Sequence, residues 1–317
     1  VEDHKLPRVS IGLSMDPGQL FEGDIAGVSA LTGDMLSEGT TLRDKASLDE
    51  AVDYIGARLR TGPTGVNTSG LSKYADQLFS IAAEVATKPA FPEASFEKLK
   101  NQLITGLKNE RDNPGTIRGN VSRALLYGTN HPAGELVTEA TVNHVSLQDC
   151  QTFYKTYWKP NIATLVIVGD ISVDQARQLA ETHFGKWKGK FKNEVTYPAP
   201  AKQASTRIVL VNRDASVQSS IVVTNTMNLI VGHPDVEAMA VMNQVLGAGS
   251  AGRLFQNLRE SKAYTYGAYS NYGTSKYTTS FSAEAEVRNA VTDSAVAEFL
   301  YELNRIRTLP ITADDLR

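Results

Sequence analysis

The sequence has little cysteine, no long apolar run and no excess of positive charge. The one cysteine among 317 residues, Cys150, cannot form an internal disulfide framework or a cysteine-rich metal site. No apolar run approaches the roughly 18 residues of a membrane-spanning helix, so no membrane span is expected. The 32 basic and 35 acidic residues give a net charge of -3, which argues against broad affinity for nucleic acid. The composition that remains is that of an ordinary globular protein.

The histidines are few and scattered, so they do not suggest a metal site. None of the five lies three or four residues from another, the spacing at which two side chains share one face of a helix. We expect all of them to be solvated or locally hydrogen-bonded: His4, His131, His144, His183 and His233.

The most informative stretch is Ala26 to Thr40, whose apolar residues recur at helical spacing. Gly39 ends this predicted helix in the usual C-terminal manner. Positions 30, 33 and 34 share the other face of the helix. This is the spacing of H-x-x-E-H, in which two histidines bind zinc and a glutamate acts as general base. Here the three positions are Ala30, Gly33 and Asp34. The helical spacing of the metal motif is therefore present, but its histidine ligands and its glutamate base are not.

The chain contains an internal repeat on both sides of a linker. Gly56-Ala57 opens a series of strands, a helix and a proline, and Gly267-Ala268 opens the same series. Between the copies, Gly185 to Ala204 is rich in Lys, Gly and Pro without periodicity, which is typical of a linker. We expect one domain over residues 1–190 and a second over residues 205–317. The second copy stops where the long helix of the first copy begins, so we expect the second domain to be truncated.

Three predictions of local structure rest on short patterns. A helix is expected over Ser47 to Ile55, with Ser47 as its N-cap and Glu50 three residues later. The run Ala163 to Val168 is rich in β-branched residues, which predicts a buried strand. Arg207 to Val211 is expected to form a strand at the start of the second domain.

Five motifs, spread over nearly the whole chain, carry a family resemblance. They are G-V-S-A-L-T-G-D-M-L-S-E-G-T from Gly27, H-P-A-G from His131, N-I-A-T-L-V-I-V-G-D from Asn161, S-V-Q-S-S-I from Ser216 and L-G-A-G-S-A-G-R-L-F-Q-N-L-R-E-S-K-A-Y-T-Y from Leu246. Together they resemble the motifs of the pitrilysin/insulinase metallopeptidases, the inverted zincins. The resemblance implies an α+β fold of two homologous domains, each an antiparallel sheet with helices packed on one face.

The resemblance also places the family's metal site on this chain. The first histidine falls on Ala30, the glutamate on Gly33 and the second histidine on Asp34, while the third ligand falls on Glu110 in a long helix. A catalytic zinc needs three protein ligands, and Ala30 and Gly33 offer no donor atoms. We therefore expect no zinc and no other cofactor in this chain. Asp34 and Glu110 are then either solvated acids or weak ligands of another metal. We expect a zinc site to return only if Ala30→His, Gly33→Glu and Asp34→His are made together.

A second family element, L-R-x-x-x-x-x-x-Y, falls on Arg259 and Tyr266. The resemblance implies that these residues contact the substrate backbone opposite the zinc and stabilise the oxyanion. The chemistry suits that role, because a guanidinium is a fixed fork of donors and a phenol adds one more. Tyr264 lies close by, but the spacing favours Tyr266. Without the resemblance, Arg259 is a solvated helix residue and Tyr266 is an aromatic residue of a strand.

Three glycines match the dinucleotide-binding pattern G-x-G-x-x-G: Gly247, Gly249 and Gly252. That pattern must follow a strand and open a helix, whereas here it follows a predicted helix. We expect instead a flexible loop that lets the two halves enclose a peptide, similar to the family's glycine-rich segment.

The resemblance implies a non-catalytic subunit of a heterodimeric zinc metallopeptidase. Its partner is expected to be a homologous chain with an intact H-x-x-E-H motif, and Arg259 and Tyr266 are expected to act on a peptide held at the partner's zinc. Two alternatives stay open, a structural core subunit of a larger assembly and a divergent, self-sufficient metalloendopeptidase. Short loops and the lack of a targeting extension favour a bacterial periplasmic protein that has lost a signal peptide, although mitochondrial and cytoplasmic locations are also compatible.

Overall fold

The protein divides into two compact units. The computed structural model describes residues 1–192, 196–197, 200, 205–313 and 315. The first unit comprises Val1–Glu110 and Glu135–Thr196, and the second comprises Arg111–Gly134 and Tyr197–Arg317. The segment Arg111–Gly134 therefore belongs to the second unit, although it interrupts the first unit in sequence. The predicted linker Gly185–Ala204 lies partly outside the described residues, and the domain boundaries at residues 190 and 205 stay predictions.

The secondary structure combines helices with antiparallel strands. The strands are β1 (Arg8–Met15), β2 (Arg58–Gly62), β3 (Gly65–Leu71), β4 (Ala163–Gly169), β5 (Gln218–Met227), β6 (Thr265–Tyr272) and β7 (Thr279–Arg288). The helices are α1 (Val28–Met35), α2 (Lys45–Tyr54), α3 (Ala75–Thr87), α4 (Glu93–Glu110), α5 (Pro114–Tyr127), α6 (Glu139–His144), α7 (Leu147–Tyr157), α8 (Val173–Phe184), α9 (Val236–Leu246), α10 (Arg253–Phe255) and α11 (Thr292–Thr308). Among the described residues, no helix is both long enough and apolar enough to cross a membrane.

The first unit is built on an antiparallel sheet with the strand order β2-β3-β1-β4. Alternate residues of β1, including Val9, Ile11 and Leu13, are buried against the helices, because successive side chains of a strand point to opposite faces. The prediction that Ala163 to Val168 is a strand is confirmed, but the prediction that it is buried is wrong, because one face is only half-buried and the other is exposed. That strand, β4, lies at the edge of the sheet, and Val166 and Val168 are 51% and 41% exposed.

The helices of the first unit form one core with the buried face of the sheet. Helix α3 packs on β1 and β3, and α1 packs on α4 and α7. Helix α2 begins earlier than predicted, because Asp44 rather than Ser47 is its N-cap. The Asp44 carboxylate accepts a hydrogen bond from the Ser47 backbone N–H at 2.9 Å, so Ser47 lies in the first turn.

The second unit has its own sheet and its own core. The strands are antiparallel in the order β5-β7-β6 among the described residues. Helices α9, α10 and α11 pack on this sheet, and the core includes Leu246, Leu258 and Phe299. Helix α5 packs on β5, where Arg118 forms ion pairs of 3.0 and 2.9 Å with Glu284 and Glu286 of β7. These contacts explain why the segment that contains α5 belongs to the second unit.

The predicted strand Arg207 to Val211 is not a strand in the structure. Its residues pair with no other strand of the described chain, and Ile208 and Leu210 are 81% and 87% exposed. The apolar run Ile208 to Val211 is suitable for a strand, but a strand is stable only where a neighbour accepts its backbone hydrogen bonds.

Candidate functional site

Helix α1 carries the three positions of the family's zinc motif. Its buried side includes Val28, Leu31 and Met35, which anchor the helix in the core of the first unit. Ala30 is half-buried, and Asp34 is exposed as a residue. Gly33, at the position of the general base, is buried.

Gly33 is buried against backbone, which the sequence did not reveal. A Cβ atom on Gly33 would lie 2.3 Å from the carbonyl carbon of Gly62 and 2.5 Å from the nitrogen of Pro63, in the turn that joins β2 to β3. Backbone atoms of a strand pair cannot move aside as a flexible side chain can. The space where a catalytic glutamate would start is therefore occupied. The expectation that a zinc site returns only if Ala30→His, Gly33→Glu and Asp34→His are made together stays a prediction, and Gly33→Glu would also require the turn at Gly62 to shift.

The two acidic positions do not compensate for the missing ligands. The pKa of Asp34 is held above its usual range, chiefly because partial burial penalises the carboxylate and also because Glu38 carries a like charge. Glu110 is the last residue of α4 and is exposed. In the described part of the chain, no three His, Cys, Asp or Glu side chains are placed to hold one metal ion. Since Ala30 and Gly33 have no donor atoms, the residues present do not fit a catalytic zinc.

The segment that follows α1 is fixed by a buried ion pair that the sequence analysis missed. Glu84 of α3 accepts hydrogen bonds from the Arg43 guanidinium, two of them at 3.1 Å, and from the Thr40 hydroxyl at 2.5 Å. Only 6% of the Glu84 side chain is exposed. A signal was available, because Glu84 lies in the otherwise apolar run A-A-E-V-A, where an unpaired carboxylate would be costly. The pair is structural, since it orders the loop after α1.

The structure brings Arg259 and Tyr266 together on the second unit. Arg259 lies in a π-helical turn, Gln256–Ser261, and such turns are frequent at functional sites. Tyr266 lies in β6 where the pairing with β7 shifts between Thr265 and Ala268. A bulge of this kind turns a side chain away from its regular direction. Tyr266 is accordingly 85% exposed.

The guanidinium of Arg259 is held in place from several sides. It donates a short hydrogen bond to the backbone carbonyl of Tyr266 and another, at 3.2 Å, to the Glu260 carboxylate. Its central carbon lies 5.3 Å from the ring centre of Phe255 and 5.9 Å from that of Tyr266, which are cation–π distances. These contacts use only some of the N–H donors of the Arg259 guanidinium. The remaining donors are free to bind a ligand, and the position of the guanidinium is already fixed.

The neighbouring tyrosine occupies a different environment. Tyr264 packs against the core of the second unit, whereas Tyr266 presents its ring to solvent. Within the described chain, the Tyr266 hydroxyl has no hydrogen-bond partner. Tyr266 is thus the one of the two that is accessible to a ligand.

The glycine-rich loop after α9 is explained by close packing. A Cβ atom on Gly247 would lie 2.8 Å from the backbone nitrogen of Ser270, and one on Gly252 would lie 2.7 Å from the Cα atom of Gly247. Helix α9 is tied to β6 by a 2.8 Å hydrogen bond from the Ser270 hydroxyl to Asn243. The loop follows a helix, so it lacks the strand-to-helix context of a dinucleotide site.

The chain combines two α+β units of antiparallel sheets and helices with a helix that carries no donor atoms at Ala30 and Gly33. Residues 144–317 match the model of the family described as the peptidase M16 inactive domain. Since more than half of the chain is matched, the protein belongs to this family. The resemblance read from the motifs is confirmed, as is the α+β fold.

Several known proteins are similar to this chain. The uncharacterized zinc protease YmxG of Bacillus subtilis is 25% identical over 269 residues, which cover 83% of this chain and 64% of YmxG. The beta subunit of the mitochondrial-processing peptidase of Bos taurus is 23% identical over 253 residues, which cover 78% of this chain and 51% of that subunit. The chain thus spans less than two thirds of the length of these relatives.

Solved structures show the same fold. A peptidase M16 inactive domain from Pseudomonas fluorescens has a TM-score of 0.87 and 23% identity, and the match covers 99% of this chain and 77% of that chain. The periplasmic protease PqqL of Escherichia coli has a TM-score of 0.76 and 17% identity, and the match covers 99% of this chain and 37% of PqqL. At these identities the likeness concerns the fold alone.

Proposed function

We propose that this chain is the non-catalytic subunit of a heterodimeric zinc metallopeptidase. It encloses a peptide together with a homologous chain that carries H-x-x-E-H and the zinc ion, and it supplies Arg259 and Tyr266 to that site. The observation that carries the proposal is the pair itself. Arg259 and Tyr266 are in contact and accessible, in a chain whose own metal positions have no donor atoms.

The pair is suited to stabilise negative charge. Hydrolysis of a peptide bond develops charge on the carbonyl oxygen, and donors that are already oriented toward that charge lower the barrier. The contacts with Phe255 and Tyr266 hold the Arg259 guanidinium before any substrate arrives. The Tyr266 hydroxyl adds a second donor next to it. Loss of one such donor typically costs about 2.7–4 kcal/mol of transition-state stabilisation, or roughly 10²–10³ in turnover.

The test is to reconstitute variants with the zinc-bearing partner and to measure peptide turnover beside complex formation. Tyr266→Phe removes only the hydroxyl, and Arg259→Lys keeps the charge but removes the planar fork. Each is expected to leave the complex assembled and the partner's zinc bound, while kcat falls by an amount approaching the range above. Tyr301→Phe is the matched control, because Tyr301 lies on α11 and is also exposed, at 58%. It should leave kcat unchanged.

Two other results would each overturn part of the proposal. Unchanged turnover in both variants would mean that the chain is a structural core subunit and does not act on the substrate. Loss of assembly would mean that Arg259 and Tyr266 are packing residues of an interface and do not act on the substrate.

Two relatives support the wider setting of this proposal. One relative is by name a subunit of a peptidase, which supports a role beside a partner chain. One structural neighbour is by its title a periplasmic protease, which supports a periplasmic location. We therefore propose a bacterial periplasmic location, a peptide as substrate and zinc only in the partner.

A further inference from the structure

The π-helical turn that carries Arg259 has a backbone shape that its surroundings must hold. The Lys262 backbone N–H donates to the Asn257 carbonyl, five residues earlier, at 3.1 Å, which is the hydrogen bond of a π-helix. Ala263, just after the turn, has a φ of 52°, in a region that residues other than glycine seldom adopt. Backbone of this kind persists only where neighbouring contacts fix it.

A side-chain amide fixes the start of the turn. The Asn257 side-chain nitrogen donates to Glu302 Oε1 at 2.8 Å and to Glu298 Oε2 at 3.0 Å. The two glutamates lie four residues apart on α11, so they are neighbours on one face of that helix. A carboxylate accepts hydrogen bonds only, and an amide nitrogen has two hydrogens to donate. The two acids therefore use both donors of Asn257.

Burial makes this anchor stronger than the other contacts of the turn. Only 2% of Glu302 is exposed, and a buried carboxylate without donors is costly. Arg305, three residues further along α11, adds an ion pair of 3.4 Å to Glu302. Glu298 also pairs with Lys262 at 2.9 Å, but the Lys262 side chain is 37% exposed, and ion pairs of that kind contribute little. Asn257 is therefore the main anchor of the turn.

The anchor sets the direction of Arg259. Asn257 faces α11 and Leu258 is fully buried, whereas Arg259, two residues after Asn257, leaves the turn on the opposite side. Without the anchor, the turn can relax to a regular α-helix, which would rotate Arg259 by up to about 100° relative to Tyr266. The guanidinium would then lose the Tyr266 carbonyl and the Phe255 ring.

We propose that Asn257 is a positioning residue for Arg259, because its amide ties the π-helical turn to Glu298 and Glu302 and so keeps the guanidinium against Tyr266. Asn257 acts through the direction of Arg259 and makes no contact with the substrate. The inference rests on the proposed function for what Arg259 does there, but the first measurement below needs no partner.

That measurement is the NMR order parameter of the Arg259 Nε–Hε group in the full chain, with the signal assigned by its loss in Arg259→Lys. We expect a value above about 0.6 in the unchanged chain, because the guanidinium is held. Asn257→Ser removes both donors without adding a charge, and the value should fall below about 0.6. Asn257→Asp, which sets a third carboxylate against two others, should have the same effect.

Asn304→Asp is the matched control for the added charge. Asn304 lies on α11 two residues from Glu302, is exposed, and accepts a hydrogen bond from Arg307 at 3.1 Å that an aspartate can also accept. This variant should leave the order parameter of Arg259 unchanged. Each variant is measured well below its own melting temperature, so that the order parameter reports on the turn and not on unfolding of the chain.

The second measurement is peptide turnover in the reconstituted complex. Asn257→Ser should lower kcat by about ten- to a hundred-fold and leave KM unchanged, because a donor misplaced by about 1 Å can cost up to about a hundred-fold. In the Arg259→Lys background, the same substitution should add almost no further loss, since the two residues act as one unit.

An unchanged order parameter in both Asn257→Ser and Asn257→Asp would overturn the inference, as would an equal fall in Asn304→Asp. A full additional loss of turnover in the Arg259→Lys background would also overturn it, since Asn257 would then act by another route. If the order parameter falls as expected while neither Asn257→Ser nor Arg259→Lys changes turnover, the proposed function fails and the positioning of Arg259 by Asn257 stands.

Discussion

Gly33 offers the sharpest test of the packing at the position of the family's general base. In Gly33→Ala, the new Cβ atom would lie 2.3–2.7 Å from backbone atoms of Gly62 and Pro63, so α1 or the β2–β3 turn must shift. Overpacking of this kind costs about 1–3 kcal/mol. Alanine regains up to about 1 kcal/mol of helix propensity. We therefore expect a net loss of about 1–2 kcal/mol, measured as a lower midpoint of urea unfolding of the first unit.

The matched control is Gly106→Ala in α4, another helical glycine, where a Cβ atom would meet no atom within 4 Å. This variant should gain up to about 1 kcal/mol, because only helix propensity changes. The two substitutions are chemically identical and should have opposite signs. If Gly33→Ala were as stable as Gly106→Ala, the contact between α1 and the turn would not be tight, and the reasoning about the lost general base would fail.

Three further predictions concern stability and reactivity. Arg43→Met leaves the buried Glu84 carboxylate without its cation and should lower the free energy of unfolding by about 3 kcal/mol, and adding Glu84→Leu should recover most of that loss in urea titrations. The hydrogen bond between His4 and Asp170 raises the pKa of the imidazole and lowers the pKa of the carboxyl. Its stabilisation should therefore be full between about pH 4 and 6.5 and decline as the pH rises through the raised pKa of His4 or falls through the lowered pKa of Asp170. His4→Gln should then lower the melting temperature at pH 5.5 but not at pH 9. Burial raises the pKa of the Cys150 thiol to about 11, so a thiol reagent at pH 8 should react with it only after unfolding in guanidinium.

Much of the fold followed from local patterns in the sequence. The helix predicted within Ala26 to Thr40 is α1, Val28–Met35, and the helix predicted over Ser47 to Ile55 is α2, Lys45–Tyr54. These features depend on residues close together in the chain, so the sequence displays them directly. The absence of zinc ligands was equally visible, because it follows from the identity of Ala30 and Gly33.

Features that depend on distant partners were not predictable in the same way. The contact of Gly33 with the turn at Gly62 joins residues from two separate elements, and no local pattern marks it. The exposed segment Arg207–Val211 has a strand-like sequence, but a strand also requires a neighbour. Arg118 of α5 forms ion pairs with Glu284 and Glu286, which are distant in sequence, and these pairs attach α5 to the second unit. The spacing of Arg259 and Tyr266 suggested a pair, whereas the π-helical turn and the bulge that bring them together became visible only in three dimensions.

Peptide hydrolysis measured for this chain alone, for the proposed zinc-bearing partner alone and for an equimolar mixture tests the central claim most directly, with zinc counted in each chain by elemental analysis. We predict no hydrolysis and no stoichiometric zinc in this chain, about one zinc in the partner, and strong hydrolysis only in the mixture. We also predict that the mixture loses activity when this chain carries Tyr266→Phe. Hydrolysis by this chain alone, or about one zinc retained on it after dialysis, would contradict the account.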